Sequence, residues 1–480
     1  MKLSSDTPPK SFRPKKFKTP DKAISYISEI YQAQVEYLRA QFDAFTRGDL
    51  PDVKSPKKMH GYYPYLRIKT EFAKRDDIRR SYGFAPKPGI YSTTLTRPDL
   101  YAHYWDEQLT LLLQNHDIPL EVGVSDTPIP VHFALGEDFH PEKNLGVEQI
   151  GRVPHYFDVP DLDLMNDEIP NSMHILRQDQ ELPLALFTAP RADLSLQRLK
   201  HYTGTSPLDF QNYVIFTNYQ FYIDEFVEIG RRQSGTNGYT DFVMPDAGGR
   251  LPQMPAYHLK RDGNEGITMV NIGVGPSNAK TITDHIAVLR PHVWLMLGHC
   301  AGLRNSQKLG DYVLAHGYLR EDHILDDDLP TSIPIPPLAE VQKSLEEAVA
   351  RVTGNTGYDL KSIMRTGTVA TTDDRNWELH TSDRQNLRLS QSRAIAMDME
   401  SGTIAANGFR FRVPYGTLLC VSDKPLHGQL KLPGMANSFY RQQVEQHLQV
   451  GLETMEILRE AGADKLHSRK LRSFSEVAFR

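Results

Sequence analysis

Residues 394–401 read Ala-Ile-Ala-Met-Asp-Met-Glu-Ser, and residues 415–425 read Tyr-Gly-Thr-Leu-Leu-Cys-Val-Ser-Asp-Lys-Pro. Each stretch is an apolar, strand-like run followed by a carboxylate, Glu400 in the first and Asp423 in the second. In open parallel or mixed sheets, ligands bind beyond the carboxyl ends of strands, so a charged residue directly after a buried run usually faces a pocket. The two stretches therefore predict an α/β sheet in which one carboxylate holds a substrate and the other moves a proton.

The composition bounds the class of protein. The chain has 480 residues, more than the roughly 250 to 300 that one hydrophobic core covers, so two domains are expected. A net charge of -5 argues against nucleic-acid binding. No apolar run approaches the roughly 20 residues of a membrane helix, and Cys300 and Cys420 lie in apolar runs without partners at metal-ligand spacing. We expect a cytoplasmic protein that binds neither nucleic acid nor membrane.

The N-terminal segment is basic and poor in apolar residues. Residues 1–20 cannot repay the entropy of ordering and are predicted to form a disordered basic tail. Thr19-Pro20 then begins a helix that Gly48 ends, with Thr19 as N-cap and Pro20 at the first position. One apolar face runs along this helix at spacings of three and four residues, formed by Ile24, Ile27, Tyr31, Val35, Leu38, Phe42 and Phe45.

The rest of the chain divides near residue 188. Short runs such as Tyr63–Ile68, Gly89–Leu95 and Val131–Leu135, with a helix over Leu100–Gln114, predict an α+β domain over 21–188. Strands and helices then alternate over 189–480, which favours a sheet covered by helices. The expected strands are Tyr213–Thr217, Ile267–Ile272, Val293–Leu297, Tyr312–Ala315, Thr366–Thr371, Ala394–Met397 and Gly416–Val421, and the expected helices are Asp224–Arg231, Asn278–Leu289, Glu400–Asn407 and Ala436–Ala461.

Two glycine-bearing segments follow predicted strands. Residues 273–280 read Gly-Val-Gly-Pro-Ser-Asn-Ala-Lys, and residues 298–304 read Gly-His-Cys-Ala-Gly-Leu-Arg. Glycines let backbone amides approach a ligand, and a helix N-terminus favours a polar oxygen. The first segment lacks the third glycine of a dinucleotide fingerprint and the ending of a P-loop. A plain tight turn explains it equally well, but two such strand ends together favour a pocket. Trp377, behind a third strand end, either stacks on a planar base or fills a core.

These motifs occur in the order glycine loop, Gly-x-Cys-x-Gly, Met-Glu and Ser-Asp, and this series resembles the purine nucleoside phosphorylase and nucleosidase superfamily. Within it, the long N-terminal domain and residues 201–205, 372–378 and 422–425 resemble the bacterial branch that cleaves AMP. The resemblance implies a nucleoside-phosphorylase-like mixed sheet flanked by helices, preceded by an α+β N-terminal domain. It also implies hydrolysis of AMP to adenine and ribose 5-phosphate, with no metal or redox cofactor.

The resemblance assigns roles to individual residues. The family's Met-Glu pair grips the ribose, which selects Met399 and Glu400, and its Ser-Asp supplies the acid at N7 of the purine, which selects Asp423. Gly298 and Trp377 join the substrate-binding set. Cleavage of an N-glycosidic bond builds positive charge on the sugar and negative charge on the base, so an anion beside one and a proton donor beside the other both lower the barrier. The alternative for each carboxylate is a charge at a helix start or a turn.

Departures from the family indicate the nucleophile. Phosphorylases hold phosphate with Arg-x-Gly-Ser-Cys-Gly, whereas residues 296–301 here read Met-Leu-Gly-His-Cys-Ala. The family's Pro-Gly-Asp-Pro-x-Arg loop is replaced by residues 217–222, Thr-Asn-Tyr-Gln-Phe-Tyr. Losing these phosphate ligands predicts water as the attacker. Hydrolases of the superfamily orient that water with a Glu in this region, which selects Glu225, or otherwise Asp224, although a charge at a helix start would look the same.

The 5′-phosphate requires cations or hydrogen-bond donors. His201 stands before the first catalytic-domain strand, where family members reach into a neighbouring subunit's site, and it is our first candidate. Arg304, Lys424 and Lys431 are further candidates, although each taken singly is typical of a surface charge.

The resemblance also implies regulation and assembly. ATP is expected to activate and phosphate to inhibit, plausibly through the N-terminal domain, and the chain is expected to form a homohexamer. Two other functions stay open. A nucleoside phosphorylase is disfavoured by the missing phosphate ligands, and a non-catalytic nucleotide sensor is disfavoured by the presence of both Glu400 and Asp423.

Overall fold

The structure is a computed structural model, in which the chain separates into two compact units. The first comprises Met1–Gln197 together with Ser473–Arg480, and the second comprises Arg198–Arg472. The last residues thus belong to the first unit, which chain order alone does not reveal. The structure describes residues 11–49, 58–71, 82–136, 145–176, 181–245, 251–379, 383–430, 436–466 and 471–480.

The first unit is an α+β arrangement built on one sheet. Its strands lie in the order β1-β4-β2-β3-β5, antiparallel except for the pair of β3 and β5. The strands are β1 (Lys15–Phe17), β2 (Tyr62–Thr70), β3 (Gly89–Thr94), β4 (Leu120–Pro128) and β5 (Glu181–Pro183). The helices are α1 (Pro20–Arg47), α2 (Pro98–Asn115), α3 (Val131–Ala134), α4 (Val147–Tyr156) and α5 (Ala189–Thr203), the last of which continues into the second unit.

Helix α1 forms where its pattern predicts it. Pro20 occupies the first turn, and Gly48 ends the helix in the left-handed region at φ 77°, donating its N–H to the last turn. The predicted apolar face is buried, with Ile24 half-buried at its start. This face contributes to a core cluster with the side chains of Tyr63 and Phe157.

Two predictions for the first unit are wrong. The expected disordered tail fails at Lys15–Phe17, which pairs with β4, because the rings of Phe12 and Phe17 lie 6.0 and 5.6 Å from that of Tyr26 and anchor the segment. Residues 1–10 of that tail lie outside the described residues. The run Val131–Leu135 begins a short helix rather than a strand, since so short an apolar run fits either period.

The second unit contains the predicted mixed sheet, flanked by helices. Nine of its described strands lie in the order β13-β12-β11-β14-β10-β6-β9-β8-β7. The strands are β6 (Tyr213–Thr217), β7 (Asp241–Val243), β8 (Ala256–Lys260), β9 (Ile267–Asn271), β10 (Val293–Gly302), β11 (Tyr312–Glu321), β12 (Met364–Thr372), β13 (Ala396–Asp398) and β14 (Tyr415–Asp423). The helices are α6 (Gln220–Gln233), α7 (Pro276–Ile286), α8 (Ala339–Thr353), α9 (Gly357–Ile363), α10 (Asp383–Ser392), α11 (Ser401–Phe411), α12 (Ala436–Ala461) and α13 (Ala463–Leu466).

Strand β10 is the centre of this sheet. All of its residues are buried, as expected for a strand covered on both faces. It runs parallel to β6 and β14, and its far end also pairs with β13 in antiparallel register. This last pairing closes part of the sheet on itself and extends the strand through Gly302. Gly298 therefore lies within the strand, whereas the sequence predicted that it follows the strand.

No helix in the described part of the chain combines the length and the apolar composition that crossing a lipid bilayer requires.

Candidate active site

The turn from β13 into α11 places Glu400. Asp398 ends the strand, and its carboxylate accepts hydrogen bonds from the hydroxyl of Thr371 at 2.8 Å and from the backbone N–H of Ser401 at 2.8 Å. Because Asp398 thereby satisfies an otherwise unpaired N–H at the start of α11, the strand stops and the helix begins within three residues. Glu400 is the N-cap residue of the helix and is only 1% exposed.

Both oxygens of the Glu400 carboxylate accept hydrogen bonds. The side-chain amide of Asn218, directly after β6, donates to Oε2 at 2.9 Å. The backbone N–H of Gly275, at the start of α7, donates to Oε1 at 2.6 Å. Three segments that are far apart in the chain thus meet at one buried carboxylate. A carboxylate has about four acceptor positions, so further donors can still bind to it.

The glycine loop before α7 makes this contact possible. Gly275 adopts φ 113°, a backbone conformation that residues other than glycine rarely adopt. A Cβ atom added there would meet no other atom within 4 Å. Gly273 also has a positive φ, 68°, and its N–H donates to the side chain of Asn271 at 3.1 Å. The loop therefore presents its amide to Glu400, and its approach to a ligand stays a prediction.

Burial controls the electrostatics of this carboxylate. Burial raises the pKa of Glu400 to about 8, and the neighbouring Asp398 carboxylate adds to the rise, while the donors at Gly275 and Asn218 act in the opposite direction. Burial also raises the pKa of Asp398. An acid that ionises near neutral pH is common where binding or proton transfer occurs.

Asp423 lies at the end of β14 and accepts a hydrogen bond from the hydroxyl of Ser422 at 2.5 Å. In the sheet register Asp423 is opposite Ala301 of β10, and on the other flank of β10 the same Ala301 is opposite Met397 of β13. Glu400 follows Met397 closely in the chain. The register therefore places Asp423 and the end of the strand that leads to Glu400 on the two flanks of β10, and the roles of the two carboxylates stay predictions.

Gly298 provides the close approach between β10 and β6. A Cβ atom added there would lie 3.3 Å from Oδ1 of Asn218 and 2.9 Å from the methyl group of Met296. The adjacent His299 packs its ring against those of Tyr219 and Tyr222, at centroid distances of 4.7 and 5.6 Å. Aromatic and amide groups thus occupy the region where the phosphorylase motifs would supply phosphate ligands.

Comparisons with known proteins identify the family of the chain. A model for the N-terminus of bacterial AMP nucleoside phosphorylase matches residues 22–181, and a phosphorylase superfamily model matches residues 254–456. The AMP nucleosidase of Escherichia coli (strain K12) is 47% identical over 483 residues, covering 96% of this chain and 98% of that protein. The chain belongs to the AMP nucleosidase family. The resemblance seen in the motifs is thereby confirmed.

Solved structures of similar proteins include an AMP nucleosidase from Bacteroides thetaiotaomicron VPI-5482, 28% identical, covering 56% of this chain and 98% of that one with a TM-score of 0.45. A purine nucleoside phosphorylase from Toxoplasma gondii in complex with immucillin-H is 16% identical, covering 54% of this chain and 98% of that one with a TM-score of 0.43.

Some residues selected as AMP nucleosidase site residues lie elsewhere in the unit. Glu225 is half-buried on α6, where burial and then the charges of Glu445 and Glu228 raise its pKa, so its charged neighbours lie on α12 and α6. Asp224 is exposed and accepts a hydrogen bond from Gln220 at 2.9 Å. The described contacts bring neither carboxylate to Glu400, because both lie beyond the first turn of α6.

Trp377 packs into an apolar cluster with Ala301 and Met397. The structure therefore places Trp377 beside β10 and β13 and gives it the packing of a core residue. Met399 is half-buried next to Glu400.

The cations proposed for the 5′-phosphate are dispersed. His201 is exposed and its ring contacts that of Tyr202. Arg304 is half-buried just after β10, and Lys424 is buried with its ammonium group 3.3 Å from the carbonyl of Asn305. Lys431 lies outside the described residues. As phosphate ligands, all four stay predictions.

Asn218 and Asp398 were missed in the sequence analysis. Asn218 comes directly after the buried strand β6, so the rule applied to Glu400 and Asp423, a polar residue just past an apolar run, would have found it. Asp398 directly follows the predicted strand Ala394–Met397, so the same rule would have found it as well. Its carboxylate accepts the N–H of Ser401 at the start of α11.

Proposed function

We propose that this chain hydrolyses the N-glycosidic bond of AMP to adenine and ribose 5-phosphate. The observation that carries the proposal is that Asp423 and Met397, the latter three residues before Glu400, lie opposite the same residue of β10, Ala301, in a chain that is 47% identical to an AMP nucleosidase. In this proposal Glu400 accepts hydrogen bonds from the ribose hydroxyls, and Asp423 donates a proton to N7 of adenine as the bond breaks.

The division of labour follows from the charges that develop in the reaction. The ribose becomes positive and the departing base becomes negative, so a fixed carboxylate on one side and an acid on the other both stabilise the transition state. Two N–H donors orient Glu400, as a ribose-binding carboxylate requires. General acid catalysis alone typically contributes about 10² to 10⁴-fold.

Water is the proposed nucleophile. Residues 217–222 and 296–301 contain no arginine or lysine, and the ring of His299 there packs against those of Tyr219 and Tyr222. Phosphate as co-substrate would require positive charge or dedicated donors at this place. Glu225 as the group that orients the water stays a prediction.

Product analysis tests the proposal. Purified protein is incubated with AMP in phosphate-free buffer and again with inorganic phosphate, and the sugar product is identified by mass spectrometry. We expect adenine and ribose 5-phosphate in both cases. Cleavage only in the presence of phosphate, with ribose 1,5-bisphosphate as product, would establish a phosphorylase, and AMP binding without adenine release would establish a sensor.

Regulation and assembly belong to the same proposal and rest on the family resemblance. We propose activation by ATP and inhibition by phosphate through the N-terminal unit, assembly as a homohexamer, and a cytoplasmic location. Initial rates of adenine release with and without ATP test the activation, and the mass in solution from light scattering tests the assembly.

A further inference from the structure

Asn218 contacts Glu400 and has no role in the proposed chemistry. Its side-chain Nδ2 donates to Glu400 Oε2 at 2.9 Å, and its Oδ1 is buried against Gly298 and accepts no hydrogen bond from the described residues. The reverse orientation of the amide would set a carbonyl oxygen against a carboxylate oxygen. Glu400 therefore fixes the amide, and the amide in turn fixes one oxygen of Glu400.

The second oxygen is fixed from a different direction. The Gly275 N–H donates to Oε1 at 2.6 Å, so each carboxylate oxygen has one donor from protein and retains an acceptor position. Two adjacent hydroxyls of a ribose ring need two acceptors held in one plane. A carboxylate with one donor on each oxygen meets this need without having to turn when the sugar binds.

We propose that Asn218 is a positioning residue for the reaction: with the Gly275 amide it orients Glu400 and favours the ionised carboxylate that receives the ribose hydroxyls. This inference rests on the proposed function, because it gives Glu400 the ribose as its ligand. Asn218 acts through Glu400 and has no proton to transfer itself.

The charges around Glu400 explain why such a donor is needed. Asp398 disfavours ionisation of Glu400, and the Asn218 amide and the Gly275 N–H favour it. Elements that pack on α11 carry further titratable groups: Asp423 on β14, His299 on β10, Arg365 on β12, Lys280 on α7 ion-paired with Asp284 at 2.6 Å, and Arg320 on β11 ion-paired with Asp326 at 3.0 Å.

The test compares Asn218→Leu, which keeps the size of the side chain and removes the donor, with Asn218→Asp, which keeps its shape, removes the donor and adds a negative charge. The pH dependence of kcat/KM for adenine release from AMP is measured for each. Losing the donor raises the pKa of Glu400, so the ionised form appears only at higher pH. We expect the acidic limb to move up by about one pH unit in the Leu variant and further in the Asp variant.

Near neutral pH this shift means a loss of about tenfold for the Leu variant, recovered at alkaline pH. Asn212→Leu is the matched control, because Asn212 precedes the first residue of β6 as Asn218 follows the last. This variant should keep the wild-type pH profile. An acidic limb that does not move in either variant, with rates lowered equally at every pH, would overturn the inference. Thermal unfolding checks that each variant is folded. If the Leu variant does not fold, the Asp variant, which has the shape of asparagine, still tests the inference.

A binding readout separates this inference from the proposed function. Calorimetric titration with ribose 5-phosphate over the same pH range does not require turnover. Affinity that rises with pH in the wild type, and rises at higher pH in both variants, supports the positioning role even if AMP is never cleaved. Affinity with the same pH dependence in all three proteins would overturn it even if the wild type cleaves AMP.

Discussion

At the scale of single residues, Asp423 has the proposed role of proton donor to the departing base. We predict that Asp423→Asn lowers kcat for AMP cleavage by about 10² to 10⁴-fold, because an amide cannot give a proton to the departing base. AMP binding, measured by calorimetry, should persist. The control is Asp262→Asn, an exposed turn residue that should leave the rate unchanged. Substantial turnover by the Asp423 variant would remove this residue from the acid role.

Gly275 is the backbone counterpart of Asn218. We predict that Gly275→Ala lowers kcat/KM about tenfold or more, because φ 113° strains any side chain and relaxation moves the N–H away from Glu400. Gly354→Ala is the matched control: it too has a positive φ, 71°, and open space, but it ends α8. Steady-state kinetics with a thermal melt distinguishes the two. Equal rates in both variants would show that the Gly275 contact is dispensable.

The sequence predicted two of the residues around the site and missed others for identifiable reasons. Glu400 and Asp423 are charges at the ends of apolar runs, a local signal that needs no partner. Asn218 is polar and uncharged, and its importance comes from a hydrogen bond across 182 positions of sequence, which only the closed sheet creates. Glu225, selected by its position in the family pattern, stays a prediction, and its charged neighbours are Glu445 on α12 and Glu228 on α6.

At the scale of elements, the packing of α6 on α12 depends on a buried polar pair. The hydroxyl of Tyr222 on α6 lies 2.7 Å from Nδ1 of His447 on α12, while Nε2 of this histidine lies 3.1 Å from the carbonyl of Leu418. The carbonyl requires Nε2 to be the donor, so Nδ1 accepts from the tyrosine. Burial lowers the pKa of His447 to about 3, which keeps it in this neutral form.

We predict that Tyr222→Phe lowers the free energy of unfolding by about 1 to 3 kcal/mol, because it leaves the buried Nδ1 acceptor of His447 without its donor. Urea denaturation measures the loss. Tyr358→Phe is the control, since Tyr358 is 85% exposed, and it should change the stability by less than about 0.5 kcal/mol. Equal stability of both variants would mean that water replaces the tyrosine at His447.

Helices and strands were predicted well where one hydrophobic period runs through the whole element. They were predicted poorly where strand pairing determines the extent of the element. Helix α1 and the core strands of the second unit have long, regular patterns. Strand β1 was missed because composition averages over the tail and hides its two aromatic anchors. The continuation of β10 past Gly298 was missed because glycine is rare within strands, and only pairing with β13 and β14 keeps the strand extended there.

At the scale of the whole molecule, each unit buries an acid whose pKa is raised. In the second unit this is Glu400, discussed above. In the first it is Asp193, which accepts hydrogen bonds from the hydroxyls of Tyr63 at 2.6 Å and Thr96 at 2.7 Å. Burial raises the pKa of Asp193 to about 7 despite these donors. A buried acid of this kind links the stability of its unit to pH.

The sign of that linkage gives the last prediction. Since the folded-state pKa of Asp193 lies above its ordinary value of 3.8, its stabilising contribution is complete below about pH 4 and is lost as the pH rises through about 7. The difference between the two pKa values corresponds to roughly 4 kcal/mol over this window. Asp193→Asn, which cannot ionise, should flatten the dependence, whereas Asp126→Asn, at an exposed position of β4, should retain it.

Hydrogen exchange of the buried amides of β2, followed between pH 5 and 8 and corrected for intrinsic rates, measures the opening free energy of the first unit itself. We expect this free energy to fall with pH in the wild type and in the Asp126 variant, and to change much less in the Asp193 variant. Identical slopes in all three proteins would contradict the assignment. The N-terminal unit would then owe its pH response to groups other than the one carboxylate that Tyr63 and Thr96 hold in its interior.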